Sequence, residues 1–156
     1  SRSRGVKILG VDLSAQTVSV PCYHELPKDG GGLRTEQAEM HLTMDRRLAG
    51  AKGAFFVRSK ADQFEGADIT EGDYLLIEPA TVEELAEQAI VVARIGDMPS
   101  FYEFSRNGRG VQLTPVGAGA EATVVGNPDG VDIIGRLVAL YRRLDDASIL
   151  VSTTAH

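Results

Sequence analysis

One cysteine, Cys22, and no tryptophan occur among the 156 residues. A lone cysteine excludes an intramolecular disulfide, and no Cys/His spacing suits zinc, so neither a disulfide scaffold nor a structural metal is expected. No apolar run approaches the ~18 residues that a membrane-crossing helix needs. Residues Ser1 to Gly10 lack the apolar stretch of a secretory leader. A reducing cytoplasm and no membrane partner are therefore the expectation. Basic residues are also scarce: 16 Lys and Arg against 22 Asp and Glu leave a net charge of −6. A module that grips duplex phosphates presents a basic surface, and Arg2/Arg4 with Arg142/Arg143 are too few to make one. Direct DNA binding by this stretch is not expected.

What is present is apolar runs cut by turn residues. Val6 to Val20 alternates loosely and reads as one or two short strands, with Pro21 placing that strand at an edge or ending it. Pro27 to Gly32 is a glycine-rich loop. Met40, Leu42 and Met44 alternate and predict a strand over Glu39 to Met44, followed by a helical turn capped by Asp45. Ala54 to Arg58, Tyr74 to Glu78 and Ala89 to Ile95 read as strands, with a helical turn over Thr81 to Glu87. Asn107-Gly108 suits a primed turn and joins Phe101–Ser105 to Val111–Thr114 as a hairpin. Val131 to Tyr141 reads as a long last strand, and the tail from Asp145 as loose. The fold class is mainly β, with short strands and little helix.

The order of these pieces resembles the C-terminal domains of LexA, the lambda-type phage repressors and the UmuD proteins. Val20-Pro21, Phe55 to Arg58, Ile69 to Leu76 (ITEGDYLL), Val91 to Ile95 (VVARI), Gln112 to Pro115 and Ile134 to Tyr141 match that family's succession of segments. The likeness runs from about Val18 to Arg143. It implies a LexA/signal-peptidase-like, partly open β-barrel of antiparallel strands over residues 18–144. Residues 1–17 would be a linker or first strand and 145–156 a tail, with a helix-turn-helix domain upstream of Ser1.

The same register implies a lost chemistry. The family's serine falls on Gln63 and its lysine on Tyr102. A serine–lysine pair works because burial keeps the amine neutral, so that it can take the hydroxyl proton. Gln63 offers no hydroxyl, and a phenol with a reference pKa near ~10 is a poor base. The family's Ala-Gly cleavage pair is also missing: the loop reads Lys28-Asp29-Gly30-Gly31, which makes Asp29 and Gly30 a vestigial cleavage site.

Other candidates read more plainly. Ser59 and Lys60 are adjacent, point to opposite faces of a strand and make a poor dyad; they and Ser100 read as surface polar residues. His24 and His41 read as solvent-facing, and Asp68, Glu71 and Asp73 as turn formers lacking the calcium-loop pattern. The glycine-rich stretches 117–120 and 126–130 are β-connections, since no lysine and helix follow them as in a P-loop. Cys22 has no neighbouring base except His24.

Two classes of function follow. The first is a non-catalytic dimerisation and regulatory domain of a transcription regulator, without cofactor, reaching DNA only through the upstream domain. The resemblance places its homodimer contact on the last strand, at Ile134, Leu137, Val138 and Leu140. Ile134 and Leu137, three apart, are expected to face opposite sides. The second is a self-cleaving serine peptidase with relocated residues, or a pseudo-peptidase cleft that senses a peptide or another regulatory ligand.

Overall fold

The computed structural model describes residues 16–26, 37–64, 66–96, 98–108, 110–117, 123–125 and 131–144. Nine strands follow one another: β1 (Thr17–Tyr23), β2 (Met40–Asp45), β3 (Phe55–Arg58), β4 (Tyr74–Glu78), β5 (Ile90–Ile95), β6 (Met98–Asn107), β7 (Gly110–Pro115), β8 (Thr123–Val125) and β9 (Asp132–Tyr141). They form one open sheet in the order β2-β1-β3-β4-β9-β5-β6-β7-β8. The fold is mainly β, as the alternating pattern requires. The single described helical element is a 3-10 turn, Val82–Glu84, whose start is closed by the Glu84 carboxylate accepting the Thr81 N–H at 2.8 Å.

Strand alternation sends neighbouring side chains to opposite faces, and the sheet carries apolar cores on both. Phe55, Val57, Leu75, Ile77, Val92 and Phe101 gather on one face. Their neighbours in sequence gather on the other, in two groups: Cys22, Phe56 and Leu76 at the β1–β4 end, and Val91, Ala93 and Phe104 at the β5–β7 end. Strands β3, β4 and β5 are therefore apolar nearly throughout (FFVR, YLLIE, IVVARI) because both of their faces are covered.

Several expectations change. Not every pair is antiparallel: β1 runs parallel to β3, joined only at Cys22↔Phe56 and Tyr23↔Val57. Pro21 lies inside β1, which has neighbours on both sides, yet the β3 ladder starts one residue later. The missing donor therefore costs no ladder bond. Ser100 is in a strand, not a turn. The Gly96 corner (φ 70) folds β5 directly onto β6, and Pro99 pairs with Arg94. A short strand, β8, lies between the two stretches read as connections, 117–120 and 126–130. The first strand's predicted Val6–Ala15 portion, the vestigial Asp29 and Gly30, and the tail 145–156 lie outside the described residues.

The largest change concerns the last strand. β9 is central, holding β4 along one edge and β5 along the other. It skips one residue against each partner: Val138 is passed over between Leu76↔Ala139 and Ile77↔Leu137, and Ile134 between Val92↔Gly135 and Ala93↔Ile133. These bulges reset the alternation. As a result Ile134 and Leu137 pack against the same cluster, contrary to the simple odd-spacing argument. Gly135 allows this crossing, because a Cβ there would stand 2.5 Å from the Glu78 carbonyl oxygen.

Candidate functional site

The chain leaves β3 at Arg58 and returns to β4 at Tyr74, and the loop between has two unlike ends. Nearest the strands, Ser59 is buried, not at the surface as expected. Its hydroxyl donates to the Thr70 carbonyl and accepts the Asp73 N–H at 3.0 Å, which satisfies it without solvent. Asp73 is 1% exposed. Its carboxylate accepts two bonds of 2.7 Å from the Arg142 guanidinium and one of 2.9 Å from the Thr70 N–H. The arginine bonds hold the Asp73 carboxyl below the ordinary carboxylate range, against the opposite pull of burial. Arg142 also donates to the Asp68 carbonyl at 3.0 Å, so the end of β9 is clamped to the turn that opens β4.

The other end holds Gln63. Residues 60–63 close a tight turn: the Gln63 N–H donates to the Lys60 carbonyl at 3.3 Å, and the Gln63 side-chain oxygen accepts the Lys60 N–H at 3.0 Å. Asp62, just before it, has φ 62, a left-handed conformation that Asp tolerates better than most residues. Phe64 anchors the turn by stacking on Phe101, centroids 4.8 Å apart. Lys60 reaches Glu25 at 3.3 Å, which ties the turn to the stem of the glycine-rich loop.

Tyr102 lies on β6 beside Phe101 but packs with the Val91 and Phe104 cluster on the opposite face. Burial raises its pKa, so the phenol keeps its proton at neutral pH. The end of β7 brings the two positions near one another in the fold. Tyr102 pairs with Pro115, the Val116 N–H donates to the Phe101 carbonyl, and Gly117 packs against the carbonyls of Asp62 and Gln63. Among the described residues no hydrogen bond joins the Gln63 and Tyr102 side chains. A carboxamide occupied with its own turn and a protonated phenol can donate and accept hydrogen bonds, but neither attacks a carbonyl.

The remaining candidates settle as follows. His24 and His41 are exposed, and His24 stands 3.5 Å from Glu39. No group of three metal-ligating side chains occurs among the described residues. Cys22 is fully buried, and burial raises its thiol pKa to about 11. Ile134 and Leu137 belong to the protomer's own core, whereas Val138 and Leu140 are 42% and 39% exposed. No described helix is long and apolar enough to cross a membrane. The Ser59–Asp73–Arg142 network went unread in the sequence. Its only local signals are Gly72-Asp73 ahead of one strand and an arginine just after another.

Comparison with known proteins places this geometry. The family model described as Peptidase S24-like matches residues 23–138. LexA repressor 2 of Geobacter sulfurreducens is 33% identical over 146 residues, covering 92% of this chain and 70% of the relative. The LexA repressor of Moorella thermoacetica is 31% identical over 146 residues, 91% of this chain and 69% of its own.

Proposed function

Because the chain belongs to the Peptidase S24-like family, in which LexA repressors are its relatives, we propose that it is a non-catalytic regulatory and dimerisation domain of a LexA-type transcription regulator. The observation that carries this reading is the Lys60–Gln63 turn. The turn is anchored by Phe64, and the side chain at the position read as the nucleophile's is a carboxamide bonded to its own turn. Tyr102, its proton held by burial, supplies no base. With a net charge of −6, contact with operator DNA falls to an upstream helix-turn-helix domain.

The second half of the proposal is a homodimer through β9. β5 covers residues Asp132 to Arg136 on one edge, and β4 covers Arg136 to Tyr141 on the other. Among the described residues the β5-side edge beyond Arg136 has no partner strand, next to the exposed Val138 and Leu140. An unpaired apolar edge is a template for a two-fold partner strand.

Both halves are testable on one sample. Protein held at pH 10 should remain a single mass, and a new terminus between Lys28 and Gly32 would overturn the loss of catalysis. The buried Cys22 thiol needs a control. Its raised folded pKa means that stability is lost as pH rises above the ordinary thiol value, on the order of 1–2 kcal/mol by pH 10. Circular dichroism at that pH should therefore accompany the mass spectrum. Light scattering at tens of micromolar should give a dimer that Leu140→Glu turns into a folded monomer. A wild-type monomer would remove the dimer.

A further inference from the structure

Asn107 ends β6 and pairs with Gly110, so the turn after it is closed by the last rung of the β6–β7 ladder. Asn107 and Gly108 are both exposed. Gly108 has φ 63, and a Cβ placed on it would meet nothing within 4 Å. Among the described residues, none hydrogen-bonds the Asn107 carboxamide or the Gly108 N–H.

These are the conditions under which an asparagine reacts with its own backbone. The nitrogen of a glycine is the least hindered amide nucleophile, because no side chain flanks it. Attack requires Asn107 to leave its extended conformation. That opens only the last rung, which lies between two glycines and is the end of the hairpin most free to fray. The chain's other asparagine, Asn127, precedes Pro128, whose nitrogen has no proton to lose.

We propose that Asn107 is a site of spontaneous modification in the folded protein, converting to aspartate and isoaspartate through a cyclic imide with Gly108. The Gly108 nitrogen gives its proton to hydroxide and bonds to the side-chain carbonyl carbon of Asn107. The bond from that carbon to its NH2 group breaks, and the group leaves as ammonia with a proton from water. A water molecule then opens the ring. Opening on the side-chain side gives aspartate, whereas opening on the backbone side routes the main chain through the side chain and lengthens it by a methylene. Either product carries one more negative charge. Isoaspartate also displaces the neighbouring Arg106, whose N–H donates to the Glu87 carboxylate at 2.9 Å. The Arg106 guanidinium donates to the Leu85 and Val82 carbonyls at 2.9 Å and 2.8 Å. The longer backbone therefore loosens the hold of the hairpin on the 82–87 segment. The Gln63 turn meets the other end of β7, at Gly117, so the proposal stands whether or not that turn is inert.

The test follows the folded protein and its guanidinium-unfolded counterpart in mildly alkaline buffer by peptide mapping and mass spectrometry. The peptide holding Asn107 should gain the mass of an amide-to-acid exchange and separate into two products, one coinciding with the same peptide from Asn107→Asp. The chain stays uncut, which distinguishes the event from cleavage at residues 28–32. The folded rate should lie within about tenfold of the unfolded one, because opening the rung costs about one net hydrogen bond. Asn107→Gln, an exposed exchange whose longer side chain must close a larger ring, should keep the β spectrum and lose the mass gain. In the isoaspartate fraction the Arg106 amide should exchange with solvent at least about tenfold faster than in Asn107→Asp. A folded rate more than about a hundredfold below the unfolded one would mean that the hairpin end stays closed, and would overturn the proposal. A single aspartate product would exclude the imide, and a mass gain that persists in Asn107→Gln would exclude the site. Equal Arg106 exchange in the two forms would remove the loosening of the 82–87 segment.

Discussion

The loop between β3 and β4 has two ends made under different demands. Ser59, Thr70, Asp73 and Arg142 are joined by hydrogen bonds, with Ser59 and Asp73 buried, so each depends on the others. The Lys60–Phe64 turn is fastened by the Phe64 ring and the exposed Lys60–Glu25 ion pair, while Gln63 caps its own backbone and sits half-buried. Burial explains the contrast. A buried carboxylate without its arginine costs several kcal/mol, whereas an exposed side chain can change with little effect on folding. The scaffold end is constrained by stability, and the chemistry end only by whatever chemistry is required of it.

The comparison is sharpest at Asp73. Asp73→Ala should destabilise by about 2–3 kcal/mol, because it removes the buried acceptor of the Thr70 N–H and of Arg142, whose exposed guanidinium can then turn to water. Urea titration checks this, and a loss under about 1 kcal/mol would make the network ornamental.

The same carboxylate should set an acid limit. Its folded pKa lies below the unfolded value, so its contribution is complete above about pH 4 and is lost as pH falls through the folded value. Wild type and Asp73→Ala should converge in stability as pH is lowered from 5 toward 2. Parallel curves would place the effect elsewhere.

Arg142→Lys keeps the charge but loses the two-pronged contact, and should cost a smaller ~1–2 kcal/mol in the same titration. At the other end, Gln63→Ala removes one exposed turn bond and should change stability by at most about 0.5 kcal/mol. A loss as large as that of Asp73→Ala would erase the distinction between the two ends.

Much of this was legible in the residues. β4 falls where its apolar run predicts, β3, β5 and β9 start one residue later, and the Asn107-Gly108 turn joins β6 to β7. What misled was the assumption of unbroken alternation. A bulge leaves no mark in an apolar run such as IIGRLVAL, because every residue in it suits either face. The buried role of Ser59 was equally hidden, since a serine after a strand looks the same whether solvent or a backbone carbonyl receives its hydroxyl.

By itself, the sequence determined the strands, the mainly β class, the family likeness and the absence of a serine and a lysine at Gln63 and Tyr102. Those are properties of local pattern and residue identity, fixed before any two distant segments meet. Only the tertiary structure decided that β9 runs through the middle of the sheet, that Arg142 closes on Asp73, 69 residues away in sequence, and that β1 meets β3 in parallel only at Cys22 and Tyr23. Each of these depends on which backbone edge reaches which partner first, and pairing between distant strands is set by packing of the whole sheet, not by the residues of either strand alone.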